Sequence, residues 1–367
     1  VRWRQVMRQV RREAAAGGDT LQRIAFHALE ALQARMDGTA LTRWCTPLKI
    51  TLQSVRRRRM HIIAIGLYCG PHWIHIFMRL AAHFSSPPLL PTTTATANGH
   101  PPSGAPSGGA GTVPNAASGG VSGVQGRAGA FGAVTAVDFG IIKVEEYPTG
   151  MVHLGGQYLE QVASMLGLSL SFHGIETTPL DFHPSQVEVD EGEEVVVLAN
   201  WGLLVFPDDT VLRSNPRNAI LKWIRDLRPL LLLQVDIDLD ANGPFFLSRF
   251  HAAFANFAAF IESFDASMPH AATSRFAAET ILARDLMNGV ACEGMNRWLR
   301  SERLEKWAHR MKAVGLEPVP LGPDTVAAGK QITEGKDSRF RLDVHAETGA
   351  LQLSWRGVPM IFVAAWR

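Results

Sequence analysis

Along the chain, apolar residues gather in short runs that alternate with amphipathic stretches. Met60–Ile65 (MHIIAI) is one such run, rich in isoleucine and followed by Gly66 and then Gly70-Pro71. It predicts a buried strand, a turn, and a helix over Pro71–His83 that places Trp73, Phe77 and Leu80 on one face. The region also has the outline of a membrane span. Nineteen residues without Asp, Glu, Lys or Arg lie between Arg59 and Arg79, behind Arg56, Arg57, Arg58 and Arg59. The glycine–proline break and His61, His72 and His75 argue against a span, because each is costly in lipid. Further strands are expected at Ala133–Phe139, Ser169–His173, Glu194–Asn200 and Leu230–Val235, with helices at Leu154–Leu166 and Pro216–Leu227. Nearly all-apolar strands alternating with helices predict an α/β fold with a parallel sheet covered on both faces. Pro244–Phe264 reads as a long helix whose stripe of Phe246, Phe250, Phe254, Phe257, Ile261 and Phe264 repeats every three or four residues, as a core-facing helix does. Ser274–Val290 and Leu299–Val314 are two more expected helices. Phe340–His345, Leu351–Trp355 and Met360–Trp366 are expected strands, joined by turns at Glu347-Thr348-Gly349 and Arg356-Gly357.

Two regions stand apart from this alternation. Residues 2–14 and 20–37 carry helical apolar stripes, and Asp19 is placed to cap the second. Residues 85–130 are rich in Pro, Gly, Ser, Thr and Ala and hold no acid, a composition that buries too little surface to offset its ordering entropy. The expected organisation is a helical cap over 1–59, a core made of 60–84 and 131–367, and a disordered insertion over 85–130. Net charge is only +2, but residues 1–59 carry thirteen basic and four acidic residues, whereas 132–367 carry twenty-one and thirty. A basic front on an acidic body fits a nuclear address or a phosphate-facing arm. Cys45, Cys69 and Cys292 are odd in number and widely spaced, which argues against a disulfide scaffold. The chain opens at Val1 rather than Met, which reads as a fragment or an incomplete gene model.

Several short stretches occur in an order that is familiar. Asp19–Met36 (DTLQRIAFHALEALQARM) is similar to the end of a leucine-rich region, and Met60-His61-Ile62-Ile63 to a VHIID motif, with Gly70 and Trp73 following as in QG-x-QW. Asn242–Phe250 (NGPFFLSRF), with Asn242, Phe246 and Arg249, comes after the central strand. Ala291-Cys292-Glu293-Gly294 resembles an ACEG segment, and Leu304–Arg310 (LEKWAHR), with Trp307 and Arg310, an LGKWR-x-R segment. Trp355, Gly357 and Trp366 fall in a closing SAW motif, with Ala365 for the usual Ser. Together these resemble the plant GRAS family of transcriptional regulators. Pro207-Asp208-Asp209 and Asn215-Pro216-Arg217 further resemble its phytochrome-signalling branch. The resemblance implies a doubly wound, mostly parallel, Rossmann/methyltransferase-like sheet with an N-terminal helical cap. It also implies a nuclear protein that works as a scaffold or co-regulator for DNA-binding transcription factors and other GRAS proteins, as a homo- or heterodimer, with weak or absent DNA contact. Here Ala64 stands where VHIID has its acid, and Asn296–Arg300 (NRWLR) departs from the family's RVER.

The candidate chemistry is sparse. In methyltransferase-like folds a Gly-rich turn after the first strand lets backbone approach the cofactor, and an acid ends the second strand. Gly66 and Gly70 are the only glycines of that turn, and Asp138 ends the expected second strand. With Asp236 these are the cofactor candidates, for an alternative reading as a small-molecule-binding or vestigial S-adenosylmethionine-dependent protein. Neither a cofactor nor catalysis is expected. His61, His72 and His75 could in principle ligate a metal, but core histidines satisfied by hydrogen bonds are the expectation. Arg56, Arg57, Arg58 and Arg59 are the candidate nuclear address. Asp236, Asp238 and Asp240 alternate after a buried strand, where open sheets place ligands, and are a candidate functional edge. Glu188–Glu194 reads as a solvated acidic loop.

Overall fold

A computed structural model describes residues 20–25, 59–66, 73, 76, 77, 80, 81, 129–139, 151–269 and 273–367. Among them eight strands form one sheet: β1 (Met60–Gly66), β2 (Gly129–Asp138), β3 (Leu168–Glu176), β4 (Glu194–Asn200), β5 (Leu231–Ile237), β6 (Phe340–Val344), β7 (Leu351–Trp355) and β8 (Val358–Trp366), in the order β3-β2-β1-β4-β5-β8-β7-β6. The first five are parallel to one another; β8, β7 and β6 continue the sheet in antiparallel pairs. The helices are α1 (Met151–Met165), α2 (Pro216–Asp226), α3 (Phe246–Ser267), α4 (Thr273–Ala291), α5 (Leu304–Val314) and α6 (Pro323–Thr333).

The two-residue period of β1 divides its side chains between two apolar layers. Ile63 and Ile65 join Val137, Val197 and Leu232 on one face, covered by Ile220, Leu221 and Ile224 of α2 and by Leu304, Trp307 and Met311 of α5. Met60, Ile62 and Ala64 join Val134, Val196 and Leu198 on the other, covered by Val152, Leu159 and Ala163 of α1 and by Trp73, Ile76, Phe77 and Leu80. All seven residues of β1 are buried. Complete burial on both faces is what a central parallel strand requires, and it explains the unbroken apolar run. None of the helices described is long and apolar enough to cross a membrane. A third layer packs α3 and α4 on Trp355 and Met360. Phe257 and Ile261 are buried there and the other Phe residues of the stripe are half-buried, so the stripe is core.

Residues 20–25 are helical, and Ile24 joins the third layer. Arg23 pairs with Asp265 of α3 (2.5 Å) and Glu279 of α4 (3.5 Å), and Arg275 joins the same two carboxylates. This piece of the expected cap is therefore docked on α3 and α4. The rest of 1–59, except Arg59, and residues 85–128 of the expected insertion lie outside the described residues.

Several boundaries differ from expectation. β2 begins at Gly129, inside the stretch assigned to the insertion. Residues 299–303 do not begin a helix: α5 starts at Leu304, and Arg303 is extended with φ −66° and ψ 153°. Arg300, Ser301 and Glu302 are buried there, and their polar groups are engaged by neighbouring elements rather than by a helical ladder. Helix α6 was not anticipated, although Pro323 opens it and Asp324 lies in its first turn. β5 extends through Asp236 to Ile237, so Asp236 lies within the strand rather than beyond it.

Candidate functional site

Parallel strands bring their carboxyl ends to one edge, and open sheets hold ligands where strand order reverses. The reversal lies between β1 and β4. Those ends are drawn together: a Cβ on Gly66 (φ 92°) would stand 2.5 Å from Gly202 Cα, and one on Gly202 would stand 2.3 Å from Ile65 O. Only glycine permits that approach. Beyond β2 and β4, Phe139 and Leu203–Phe206 are buried, and Phe139 stands edge-on to Phe206 (ring centroids 4.9 Å) and Phe182 (5.8 Å). Gly66 is thus a packing glycine, and Asp138 ends β2 beside an aromatic cluster. Gly70 lies outside the described residues.

The charged groups of this edge gather farther along, beyond β4 and β5. Arg217 of α2 is fully buried. Its Nε donates to Phe206 O (3.0 Å), Nη1 to Glu302 Oε2 (2.9 Å), and Nη2 to Leu204 O (3.1 Å) and Arg300 O (2.9 Å). Its guanidinium also lies 5.0 Å from the centroid of Trp307, close enough for a cation–π contact. Glu302 further accepts from Arg310 Nε (2.5 Å), Arg310 Nη2 (2.8 Å) and Asn242 Nδ2 (3.1 Å). Asp208 accepts from Arg310 Nη2 (2.5 Å), Asn242 Nδ2 (2.7 Å) and the Thr210 hydroxyl (2.5 Å). Burial alone would raise both carboxyls, but these donors hold Asp208 and Glu302 below the ordinary carboxylate range. The two acids and two arginines balance, and Asn242 Oδ1 accepts from Arg300 Nη1 (3.2 Å), linking them to a second group.

That second group is arginine-rich. Arg249 of α3 donates through Nη1 to Gly243 O (3.0 Å) and Pro244 O (2.9 Å), through Nε to Gly289 O (3.3 Å), and through Nη2 to Glu293 Oε1 (2.5 Å). Arg297 Nη1 donates to Ala241 O (2.9 Å) and Gly243 O (3.3 Å), and Arg300 Nη2 to Gly294 O. Burial and the neighbouring Arg249 and Arg300 bring Arg297 down to about 10.

The three aspartates of the expected acidic edge have partners within the chain. Asp236 is 1% exposed inside β5, where Gln234 Nε2 donates to its Oδ2 (2.7 Å). Burial pushes its carboxyl up to about 7. Asp238 accepts from Leu304 N (3.2 Å) and Gln352 Nε2 (2.7 Å), and Lys306 meets Asp240 (2.7 Å). All three aspartates are therefore tied within the molecule.

The remaining motif residues that are described make contacts within the fold. Buried His61 bonds Thr135 Oγ1 through Nε2 (2.8 Å) and Glu193 through Nδ1 (3.2 Å), as a satisfied core histidine. No metal-holding cluster occurs among the described residues; His72 and His75 are not among them. Ala64 faces an apolar layer. Arg59 pairs with Asp190 (2.9 Å) and Glu193 (3.3 Å), so the acidic 188–194 loop is not merely solvated. Arg56–Arg58 lie outside the described residues. Phe246 opens α3 and is half-buried. Trp355 Nε1 donates to Glu262 (3.0 Å), Trp366 Nε1 donates to Gln234 Oε1 (3.0 Å), and Gly357 (φ 80°) turns β7 into β8. Sequence reasoning gave no role to Gln234, Arg300 or Glu302. The available signal was a polar residue isolated within an apolar run, as Gln234 is in LLLLQV.

Three comparisons bear on identity. The GRAS domain family model matches residues 134–367, well over half of the chain. Scarecrow-like protein 5 of Arabidopsis thaliana is 32% identical over 219 residues, covering 59% of this chain and 36% of that protein. Scarecrow-like transcription factor PAT1 of Arabidopsis thaliana is 29% identical over 219 residues, covering 59% of this chain and 44% of that protein. The chain thus spans roughly two fifths of the length of these relatives. The crystal structure of SCL7 in Oryza sativa superposes with a TM-score of 0.71 at 19% identity, covering 98% of this chain and 93% of that one. That likeness bears out the fold.

Proposed function

The chain belongs to the GRAS domain family, and on that premise we propose that it is a nuclear transcriptional regulator that acts through protein contacts. In this reading it is a scaffold or co-regulator for DNA-binding transcription factors, and the relative named as a transcription factor supports it. The observation that carries the scaffold part is the state of the sheet's carboxyl edge. Where open sheets keep a ligand crevice, Gly66 and Gly202 pack backbone to backbone, and Asp208, Asn242, Glu302 and Arg310 satisfy one another. Such an edge fixes the surrounding loops as a rigid surface and leaves those carboxylates no role in turnover. Tethering the chain to a heterologous DNA-binding domain in plant protoplasts tests the regulator role. A change in reporter output of several-fold is expected, and an unchanged reporter with the fusion present in nuclei refutes it. Calorimetry with S-adenosylmethionine tests the alternative: no heat is expected, and micromolar binding would favour a cofactor-binding protein.

A further inference from the structure

Arg249, Arg297 and Arg300 converge on the 241–244 and 293–297 loops, where Glu293 is their one paired carboxylate among the described residues. Arg297 and Arg300 are 4% and 1% exposed; among the described residues neither has a carboxylate within ion-pair distance, and each has a buried Nε without a hydrogen-bond partner. Their neighbours Arg217 and Arg310 are already balanced by Asp208 and Glu302. The cluster therefore holds two more guanidiniums than carboxylates, and buried charge in excess favours an added anion. The rim of the cluster reaches solvent at Glu293. The Glu293 side chain is 49% exposed while it bonds fully buried Arg249, and no atom would crowd a Cβ on Gly243 or Gly294. Around the same loops, Phe245 is 75% exposed, Leu247 63% and Met295 44%. Arg249 bonds both Pro244 O and Glu293, so it ties the start of α3, with Phe245 and Leu247, to the loop that carries Met295.

We propose that this end of the molecule docks a partner peptide in which an anionic side chain sits between apolar ones. The anion displaces Glu293 from Arg249 and meets the unbonded N–H groups of Arg297 and Arg300, while the flanking residues cover Phe245, Leu247 and Met295. Charged groups bonded to planar guanidiniums give orientation, and exposed aromatic and aliphatic anchors give contact area. The inference rests on the scaffold reading and supplies it with a surface.

The test is fluorescence anisotropy on the full chain with short labelled peptides. Each carries a central Asp, phosphoserine or Ser between leucines and phenylalanines. The Asp and phosphoserine peptides are expected to bind at least about tenfold more tightly than the Ser peptide. Tighter binding of phosphoserine than of Asp identifies phosphate as the preferred anion, and tighter binding of Asp identifies a carboxylate. Glu293→Gln should strengthen binding several-fold by removing the internal competitor. The Phe245→Ser/Leu247→Ser double variant, altered only at exposed positions, should weaken it about tenfold. Equal binding of all three peptides, no gain in Glu293→Gln, or no loss in the double variant would overturn the site. The reporter assay separates the two ideas: peptide binding can fail while reporter output persists, and that result sinks the site alone.

Discussion

Asp236→Asn offers the sharpest check on the sheet's buried electrostatics. The Asp236 carboxyl lies inside β5 opposite Phe362 of β8 and accepts one hydrogen bond, from Gln234 Nε2. Its Oδ1 has no partner among the described residues, and burial outweighs the help of Gln234 and of the Arg217 charge. Moving from an ordinary 3.8 to about 7 corresponds to about 4 kcal/mol between the two protonation states. The sign follows from proton binding. Below about pH 4 the carboxyl is protonated in folded and unfolded chains alike and has no effect. Between about pH 4 and 7 only the folded chain keeps the proton, so stability falls as pH rises; above 7 the full penalty remains. Asparagine cannot ionise. Urea denaturation, followed by tryptophan fluorescence from pH 4 to 8.5, should therefore show the variant gaining on the parent by up to about 4 kcal/mol across that window. Burying the amide adds only a constant offset. A gap that does not change with pH would refute the reasoning.

Three further outcomes follow from the same geometry. Arg310→Met leaves Asp208 and Glu302 buried without their shared partner and should cost about 3–5 kcal/mol in urea denaturation; a loss under about 1 kcal/mol would show the network to be well solvated. Gly66→Ala forces a side chain into a positive φ and against Gly202, so it should cost at least about 3 kcal/mol and lower the melting temperature accordingly, whereas an unchanged melting curve would deny the close approach of β1 to the 201–202 turn. Trp366→Phe keeps most of the buried ring but strands Gln234 Oε1, and a loss of about 1–3 kcal/mol by denaturant titration is expected; no loss would mean that Gln234 finds another donor.

Much of the sheet was legible because both faces of its parallel strands are buried, so that position in the sheet is written as composition. Met60–Ile65 and Glu194–Asn200 are near-continuous apolar runs because each lies between two other strands and two helical layers. Boundaries were harder where polar residues are buried. Asp236 looked like a strand exit because an aspartate normally ends a buried strand, yet Gln234 and Trp366 keep it inside. Residues 299–303 (LRSER) contain no Gly or Pro to stop a helix, but hydrogen bonds to Leu204, Ala241 and Arg217 hold them outside it. Local pattern carries no trace of such long-range partners. The motif residues Asn242, Arg249, Glu293 and Arg310 were visible one by one; that they form two linked charge groups depends on Asp208, Arg300 and Glu302, which are distant in sequence and show no period.

On the proposed reading, the two groups make this edge a support rather than a catalytic crevice. A catalytic carboxylate needs a proton equilibrium that the reaction can use, and a binding carboxylate needs free lone pairs. Asp208 and Glu302 are held ionised by Arg310, which bonds both, and Glu302 also by Arg217, so releasing either acid disturbs the pair. Asp236 is the opposite case, held toward neutrality, but it lies within the sheet between Gln234 and the antiparallel β8. The charge imbalance lies instead at Arg249, Arg297 and Arg300, next to half-exposed Glu293 and to exposed Phe245 and Leu247. An anion arriving there meets donors already fixed by backbone carbonyls of 241, 243, 244 and 294. On the proposed reading, recognition there requires the Glu293 side chain to move off Arg249, while the guanidiniums keep their bonds to the backbone.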